Sequence, residues 1–281
     1  MPDDRRLDTE LVRRGLARSR EHAVSLIRDG AVHLDGNVAS KASVRVSPQA
    51  PVRLGEQDAA QAYVSRAARK LDGALAEFSD RSGPIDFPDA PGLSVRGRRC
   101  LDAGASTGGF TQVLLGRGAH EVVAVDVGHD QLATELRNDP RVRLHEGVNV
   151  RDLRPGQIGG TVDLVVADLS FISLTLVLPA LAEVCVPGLA GADMLVMVKP
   201  QFEVGRDRVG SGGVVRHQDL RVDSVWQVAV AAATHGWGVT AMTTSALPGT
   251  AGNVEYFLWL QPGTRPPDRD RIATAVTKGR A

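Results

Sequence analysis

The stretch that most restricts what this chain can fold into is residues 100–110, Cys-Leu-Asp-Ala-Gly-Ala-Ser-Thr-Gly-Gly-Phe. Val95 and a basic Arg-Gly-Arg-Arg lead-in precede it, and Thr111, Val113, Leu114 and Leu115 follow at helical spacing. An apolar run, a glycine-rich turn and then a helix open a parallel α/β domain that binds a nucleotide-like ligand. The glycines let the backbone curl tightly and let a ligand lie against it.

Spacing narrows the ligand. A dinucleotide fingerprint, G-x-G-x-x-G, brings a pyrophosphate to a helix N-terminus. Here the pattern is Gly104-x-x-x-Gly108-Gly109, with Asp102 at the strand end. An acid there repels a pyrophosphate and suits an ammonium, and S-adenosylmethionine carries an α-amino group and no phosphate. Residues 121–126, Glu-Val-Val-Ala-Val-Asp, read as a second strand whose final acid suits ribose hydroxyls. The expected cofactor contacts are therefore Asp102 at the amino end, the turn and helix start through Gly104, Ser106, Thr107, Gly108, Gly109 and Phe110, and Asp126 on the ribose. Asn149, past a third strand, is either a reader of the adenine edge or a loop cap.

With 281 residues there is room for a catalytic domain and a small appendage. Hydrophobic residues at 43% and charged residues at 23% exclude a disordered chain. Net charge is zero, but residues 1–70 hold 13 Lys and Arg against 9 Asp and Glu, and the remainder 20 against 24. A basic front on an acidic body directs any polyanion contact to one end. Two cysteines, Cys100 and Cys185, in apolar settings exclude a disulfide framework, and no metal site is read. No apolar core follows the opening Met-Pro-Asp-Asp-Arg-Arg, and no run reaches the roughly 18 apolar residues of a membrane span, so a cytoplasmic protein is expected.

Residues 5–54 read as one compact unit. Leu7, Leu11 and Val12 mark a helix that Gly15 stops; Ser19 caps a second helix with Ala23, Val24, Leu26 and Ile27 buried, ended at Gly30. A hairpin follows, Ala31-Val-His-Leu and Asn37-Val-Ala around Asp35-Gly36. Residues 55–64 read as a linker, a helix runs to about Phe78, and 79–94 form a loop. Strands are expected near 98–102, 122–126, 142–145, 162–167 and 194–198. A helix over 218–234 should turn Val222, Val225, Trp226 and Val230 inward, and strands at 237–244 and 254–260 close the sheet. Residues 262–281 are polar and expected to fray. The glycine-rich segment 202–213 is a candidate lid.

Four charged residues stand in apolar or tightly shaped surroundings: Lys70, Asp168, Lys199 and Glu255. Strand C-termini of an open parallel sheet are where ligands bind, which favours Asp168 and Lys199. Asp168 also reads as a helix cap; Lys199, ending a buried strand, needs a partner, as does Glu255.

Several motifs together carry a resemblance. Gly15-Leu-Ala-Arg-Ser-Arg and Leu26-Ile-Arg-Asp-Gly-Ala-Val resemble the ribosomal protein S4-like RNA-binding domain. With Asp102-Ala-Gly-Ala-Ser-Thr-Gly-Gly-Phe, Ala167-Asp-Leu-Ser-Phe-Ile-Ser, Lys199-Pro-Gln-Phe-Glu and Gly252-Asn-Val-Glu-Tyr-Phe, nearly the whole chain resembles the TlyA (haemolysin A) family of ribosomal RNA 2′-O-methyltransferases. That resemblance implies a Rossmann-like SAM-dependent methyltransferase fold, a mostly parallel seven-stranded sheet, preceded by a small α+β S4-like domain. The implied boundaries are 1–60 for the S4-like domain, 61–70 for a linker and helix start, 71–262 for the methyltransferase domain and 263–281 for a tail. The family is similar to FtsJ-like ribose methyltransferases, whose Lys-Asp-Lys-Glu tetrad falls on Lys70, Asp168, Lys199 and Glu255; Asp168 also borders the cofactor. Around Lys70 this chain has Ser65-Arg-Ala-Ala-Arg69-Lys70 where the family often has glycine and histidine. The resemblance implies RNA contacts at Arg6, Arg14, Arg18, Arg20, Lys41, Arg66, Arg69 and Arg137, methylation of cytidine ribose in 16S and/or 23S ribosomal RNA, and a monomer working on ribosomal subunits. Two other readings are an RNA-binding assembly factor with a vestigial methyltransferase fold and, from the haemolysin name, a membrane-lytic protein. The pseudouridine synthases share the S4-like front, but this glycine loop does not suit them.

Overall fold

A computed structural model describes residues 4–17, 20–28, 32–39, 41–54, 63–79, 87, 90–186, 191–249, 251–263 and 267–278. The chain forms two compact units, Met1–Arg66 and Ala67–Ala281.

The first unit carries β1 (Arg5–Arg6), α1 (Leu7–Arg13), α2 (Arg20–Arg28), β2 (Val32–Leu34), β3 (Asn37–Val38), β4 (Arg45–Val46) and β5 (Val52–Leu54). β1 pairs with β4, and β2 lies between β3 and β5, all antiparallel. The β2–β3 turn places Asp35 at φ 51° and Gly36 at φ 80°, the twist that a two-residue hairpin needs. Leu7, Leu11, Ala23, Ile27, Val32 and Val46 form its core. Ser19, Gly30, Ala31 and residues 55–62 lie outside the described residues.

The second unit holds α3 (Arg66–Ser79, its first residue at the boundary), β6 (Arg99–Ala103), α4 (Gly109–Gly116), β7 (Glu121–Asp126), α5 (Thr134–Arg137), β8 (Val142–Glu146), β9 (Leu164–Ala167), α6 (Leu178–Val184), β10 (Asp193–Val198), α7 (Pro200–Glu203), α8 (Gln218–Thr234), β11 (Trp237–Thr244), β12 (Tyr256–Pro262) and α9 (Arg269–Lys278). The strands form one seven-stranded sheet in the order β11-β12-β10-β9-β6-β7-β8. β8 to β10 are parallel in that order, while β12 runs antiparallel between β10 and β11. β9 and β10 are buried throughout and, apart from Asp193 at the start of β10, read as apolar runs, as strands covered on both faces do. The chain moves outward from β6 through β7 to β8 and then returns to β9 on the other side of β6. That reversal opens a crevice between β6 and β9, where open α/β sheets bind ligands.

Two expectations are corrected. The buried face of α8 is Arg221, Val222, Ser224, Val225, Val228, Ala229 and Ala232. Val230 is 38% exposed, and Trp226 is only half-buried, with the Arg269 guanidinium 5.8 Å from its ring centre. The second correction concerns residues 269–278, which form α9 rather than a frayed end, with Ile272, Ala275 and Val276 buried against α8. Three apolar residues at helical spacing suffice for docking, although polar neighbours conceal them in composition.

Candidate active site

The four charged residues meet as two ion pairs. Lys70 of α3 reaches Glu255, Nζ to Oε2 2.5 Å, with both side chains under a tenth exposed. Lys199, the residue after β10, pairs with Asp168, the residue after β9, at 2.6 Å, and its ammonium also donates to Ser170 Oγ at 2.9 Å. Val198 lies opposite Tyr256 in the β10–β12 ladder, so Lys199 and Glu255 are the next residues outward on neighbouring strands. Antiparallel β12 therefore delivers its first residues to the same sheet edge at which the parallel strands end. Each buried ammonium has a carboxylate, which removes most of the cost of burying it. Asp168 does not cap a helix: the next helical turn is capped by Ser173, whose hydroxyl accepts from Thr175 N.

A cavity of about 490 Å³ lies at the crevice, within the size range of small-molecule sites. Gly104, Ser106, Asp126, Asn149 and Asp168 line it. Gly104 has φ 89°, and a β-carbon there would stand 2.6 Å from the Asp168 carbonyl oxygen, so the turn passes the β9 exit with no room for a side chain. Asp126 braces the rim: its Oδ2 accepts from Ser106 N at 2.8 Å and its Oδ1 from Gly128 N at 2.7 Å. Asn149 borders the cavity and also caps a loop, accepting from Arg151 N at 3.1 Å.

Asp102, Thr107, Gly108, Gly109 and Phe110 are not among the residues that line the cavity. Asp102 precedes the last residue of β6; it is fully buried, and its Oδ2 accepts from Thr111 Oγ1 at 2.6 Å. Burial pushes its carboxyl up to about 7, against the Thr111 hydrogen bond. Phe110 stacks on Phe257 in the core, ring centres 6.1 Å apart. Thr107 accepts from Ala133 N through its carbonyl, Gly108 takes φ 96° where the helix begins, and Gly109 opens α4.

The cavity also involves residues with no expected role: Val127, Gln131, Leu169, Ser170 and Phe171. The last three stand directly after Asp168, so their position was the available signal. Phe171 is 92% exposed at φ 65°, with its ring 5.3 Å from Phe202. Glu203 was likewise unassigned: it accepts from Ser173 Oγ at 2.5 Å and Leu174 N at 2.9 Å, tying the β9 exit to the helix after Lys199. Burial raises its pKa. The glycine-rich segment is anchored at its far end, which limits the lid expected there: Asn253 accepts from Val215 N at 2.9 Å and donates to Gly213 O at 2.7 Å, and Arg221 donates to Val215 O at 3.0 Å.

The basic residues divide. Arg6 and Arg20 converge on Asp8. Arg14 turns inward, donating to Glu10 and to the carbonyls of Ala50 and Pro48, so its guanidinium braces the unit and does not offer a free contact. Arg137 pairs with Glu146 at 2.9 Å and Asp130 at 3.5 Å. Lys41 and Arg69 are exposed, Arg66 is half-buried, and Arg18 lies outside the described residues. Among the described residues no helix is long and apolar enough to cross a membrane.

A seven-stranded sheet in this order, with one reversed strand and a cavity at the switch point, defines the class: a Rossmann-like methyltransferase fold. Residues 63–262 match the FtsJ-like methyltransferase model and residues 5–52 the S4 domain model. The chain is 54% identical, over 92% of its length and 90% of the relative's, to the Mycobacterium tuberculosis (strain ATCC 25618 / H37Rv) 16S/23S rRNA (cytidine-2′-O)-methyltransferase TlyA. It is 33% identical, over 70% of each chain, to the Campylobacter jejuni 23S rRNA (cytidine-2′-O)-methyltransferase TlyA. A solved Streptococcus thermophilus structure described as a hemolysin is 34% identical with a TM-score of 0.74, covering 99% of this chain and 96% of that one. The chain belongs to the TlyA family of FtsJ-like methyltransferases that carry an S4 domain.

Proposed function

We propose that this protein methylates the ribose 2′-oxygen of cytidines in 16S and 23S ribosomal RNA, using S-adenosylmethionine, in the cytoplasm. The observation that carries this reading is the pair of buried lysine–carboxylate contacts at the strand ends beside the cavity, in a chain 54% identical to an enzyme of that description. The 490 Å³ cavity and the side-chain-free cradle at Gly104 fit the cofactor. In this reading Gly104, Ser106, Asp126 and Asn149 hold it, and Asp168 borders its reactive end. When bound, S-adenosylmethionine supplies an electrophilic methyl group on a sulfonium.

A ribose hydroxyl is a weak nucleophile and must lose its proton as its oxygen forms the new bond to carbon. The Lys199 ammonium orients that hydroxyl, and takes its proton only after releasing one of its own to solvent; Asp168 and Ser170 fix the amine. Lys70, held by Glu255, steadies the developing alkoxide or the neighbouring phosphate. Alignment of oxygen and methyl supplies much of the acceleration, because the protein charges are already in position. The S4-like unit supplies substrate affinity through phosphate contacts and shape.

The test is incubation of purified 30S and 50S subunits with labelled cofactor, followed by mass mapping of the nucleosides. Label on cytidine ribose is expected, and Lys199→Ala should lower kcat by about 100-fold or more while cofactor affinity stays within a few-fold. Label on a base, or wild-type turnover by Lys199→Ala, would overturn the assignment. The vestigial-fold reading requires no cofactor binding, which calorimetry measures directly.

A further inference from the structure

The N-terminal unit holds a carboxylate where an RNA-binding face should be basic. Asp8, on the first turn of α1, is 1% exposed. Its Oδ1 accepts from Thr9 N at 2.8 Å and from Arg6 Nε at 3.1 Å. Its Oδ2 accepts from Arg6 Nη2 at 2.9 Å and from Arg20 Nη2 at 3.2 Å. One buried carboxylate thus grips two guanidinium groups from different helix starts, and the arginine side chains remain 45% and 62% exposed. A guanidinium has five N–H donors; Arg6 gives two to Asp8 and Arg20 one. Among the described residues the remaining donors meet no other acceptor, and they stay open to solvent or to a ligand.

Two cations sharing one carboxylate oxygen would repel each other without it, and each arginine carries large rotamer entropy. The neighbouring acid contrasts with Asp8. Glu10 also binds two arginines, but Arg14 there runs inward onto backbone carbonyls, so that pair is structural. At Asp8 both arginines leave the surface open.

We propose that Asp8 is a positioning residue for RNA binding: its buried carboxylate fixes Arg6 and Arg20 side by side, so that their outward N–H groups meet the phosphate backbone already ordered. The proposal rests on the ribosomal RNA reading above. It opposes a simple charge count, in which removing an acid from a polyanion-binding face tightens binding and steepens its salt dependence. Fixing the two arginines in advance outweighs one unit of negative charge, because ordering each long side chain at the moment of binding is costly.

The test compares the full-length wild type with Asp8→Asn, Asp35→Asn and Arg6→Lys for binding to purified 50S subunits across a salt series. Asp8→Asn and Asp35→Asn raise net charge equally, but Asp35 sits in the exposed β2–β3 turn. The expected result is a Kd for Asp8→Asn about fivefold or more above wild type, with Asp35→Asn within about twofold of it. Arg6→Lys keeps the charge and loses the bidentate fork, so it too should weaken binding; its melting curve gives a separate check should Asp8→Asn fail to fold. Binding by Asp8→Asn as tight as or tighter than wild type, or by Arg6→Lys at the wild-type Kd where Asp8→Asn does not fold, overturns the proposal. Cofactor affinity, measured on the same preparations, should not change. A wild type that neither binds nor methylates the subunits removes the underlying reading; one that does both beside a tight-binding Asp8→Asn removes this inference alone.

Discussion

At the scale of single residues, the site depends on what lies against Gly104. The Asp168 carbonyl oxygen is backbone and cannot move aside for a β-carbon 2.6 Å away, and the φ of 89° is itself unfavourable for alanine. Gly104→Ala should therefore lower stability by about 1–3 kcal/mol and push the glycine turn away from Asp168. Calorimetric cofactor binding at least tenfold weaker is the expected readout; unchanged affinity would show that the turn tolerates the shift. Two residues before Gly104, the acid of Asp102 suggested a ligand contact at a strand end; its side chain is fully buried and accepts from Thr111 Oγ1. Sequence spacing gives distance along the strand and leaves unstated which face looks toward the ligand.

At the scale of elements, strands and long helices were legible because their apolar runs are unmistakable: α8 occupies the expected 218–234, and the five parallel strands lie within two residues of expectation. The four charged residues named by family resemblance form two ion pairs in the structure. What sequence could not supply is how the connections brace one another, since those contacts join segments far apart. Asn253 is the example: it stands two residues before Glu255, is 2% exposed, and holds the 213–215 backbone by both ends of its amide. Asn253→Ala leaves a buried N–H and carbonyl unsatisfied, at a cost of about 1–3 kcal/mol. It should also loosen the glycine-rich segment. A lower Tm together with a raised KM for ribosomal subunits and a near-normal cofactor Kd is expected. A KM equal to wild type would mean the segment plays no part in holding substrate.

At the scale of the whole molecule, the buried acids give the two units opposite responses to pH. Asp102 is raised to about 7, so between about pH 4 and 7 the folded state holds a proton that the unfolded chain has lost. Its contribution to stability then falls as pH rises through that window and is level above it. Asp8 and Glu10 are lowered by their arginines, Glu10 to about 2. Their contribution is complete above about pH 4.5 and is lost as pH falls toward the folded values. Acidification below pH 4.5 should weaken the N-terminal unit, and Asp102→Asn should flatten the slope of the larger unit between pH 4 and 7. Scanning calorimetry across pH 3–8 follows both, and a slope identical in wild type and Asp102→Asn would contradict the assignment. The reversed strand β12 has a further consequence during synthesis. Glu255 is delivered by the last strand of the sheet to leave the ribosome, so a nascent chain that already has its glycine turn and Lys199 still lacks the partner of Lys70. Until translation passes that strand the lysine has no carboxylate to accompany it into the interior, and a prematurely terminated product would be left with an incomplete centre.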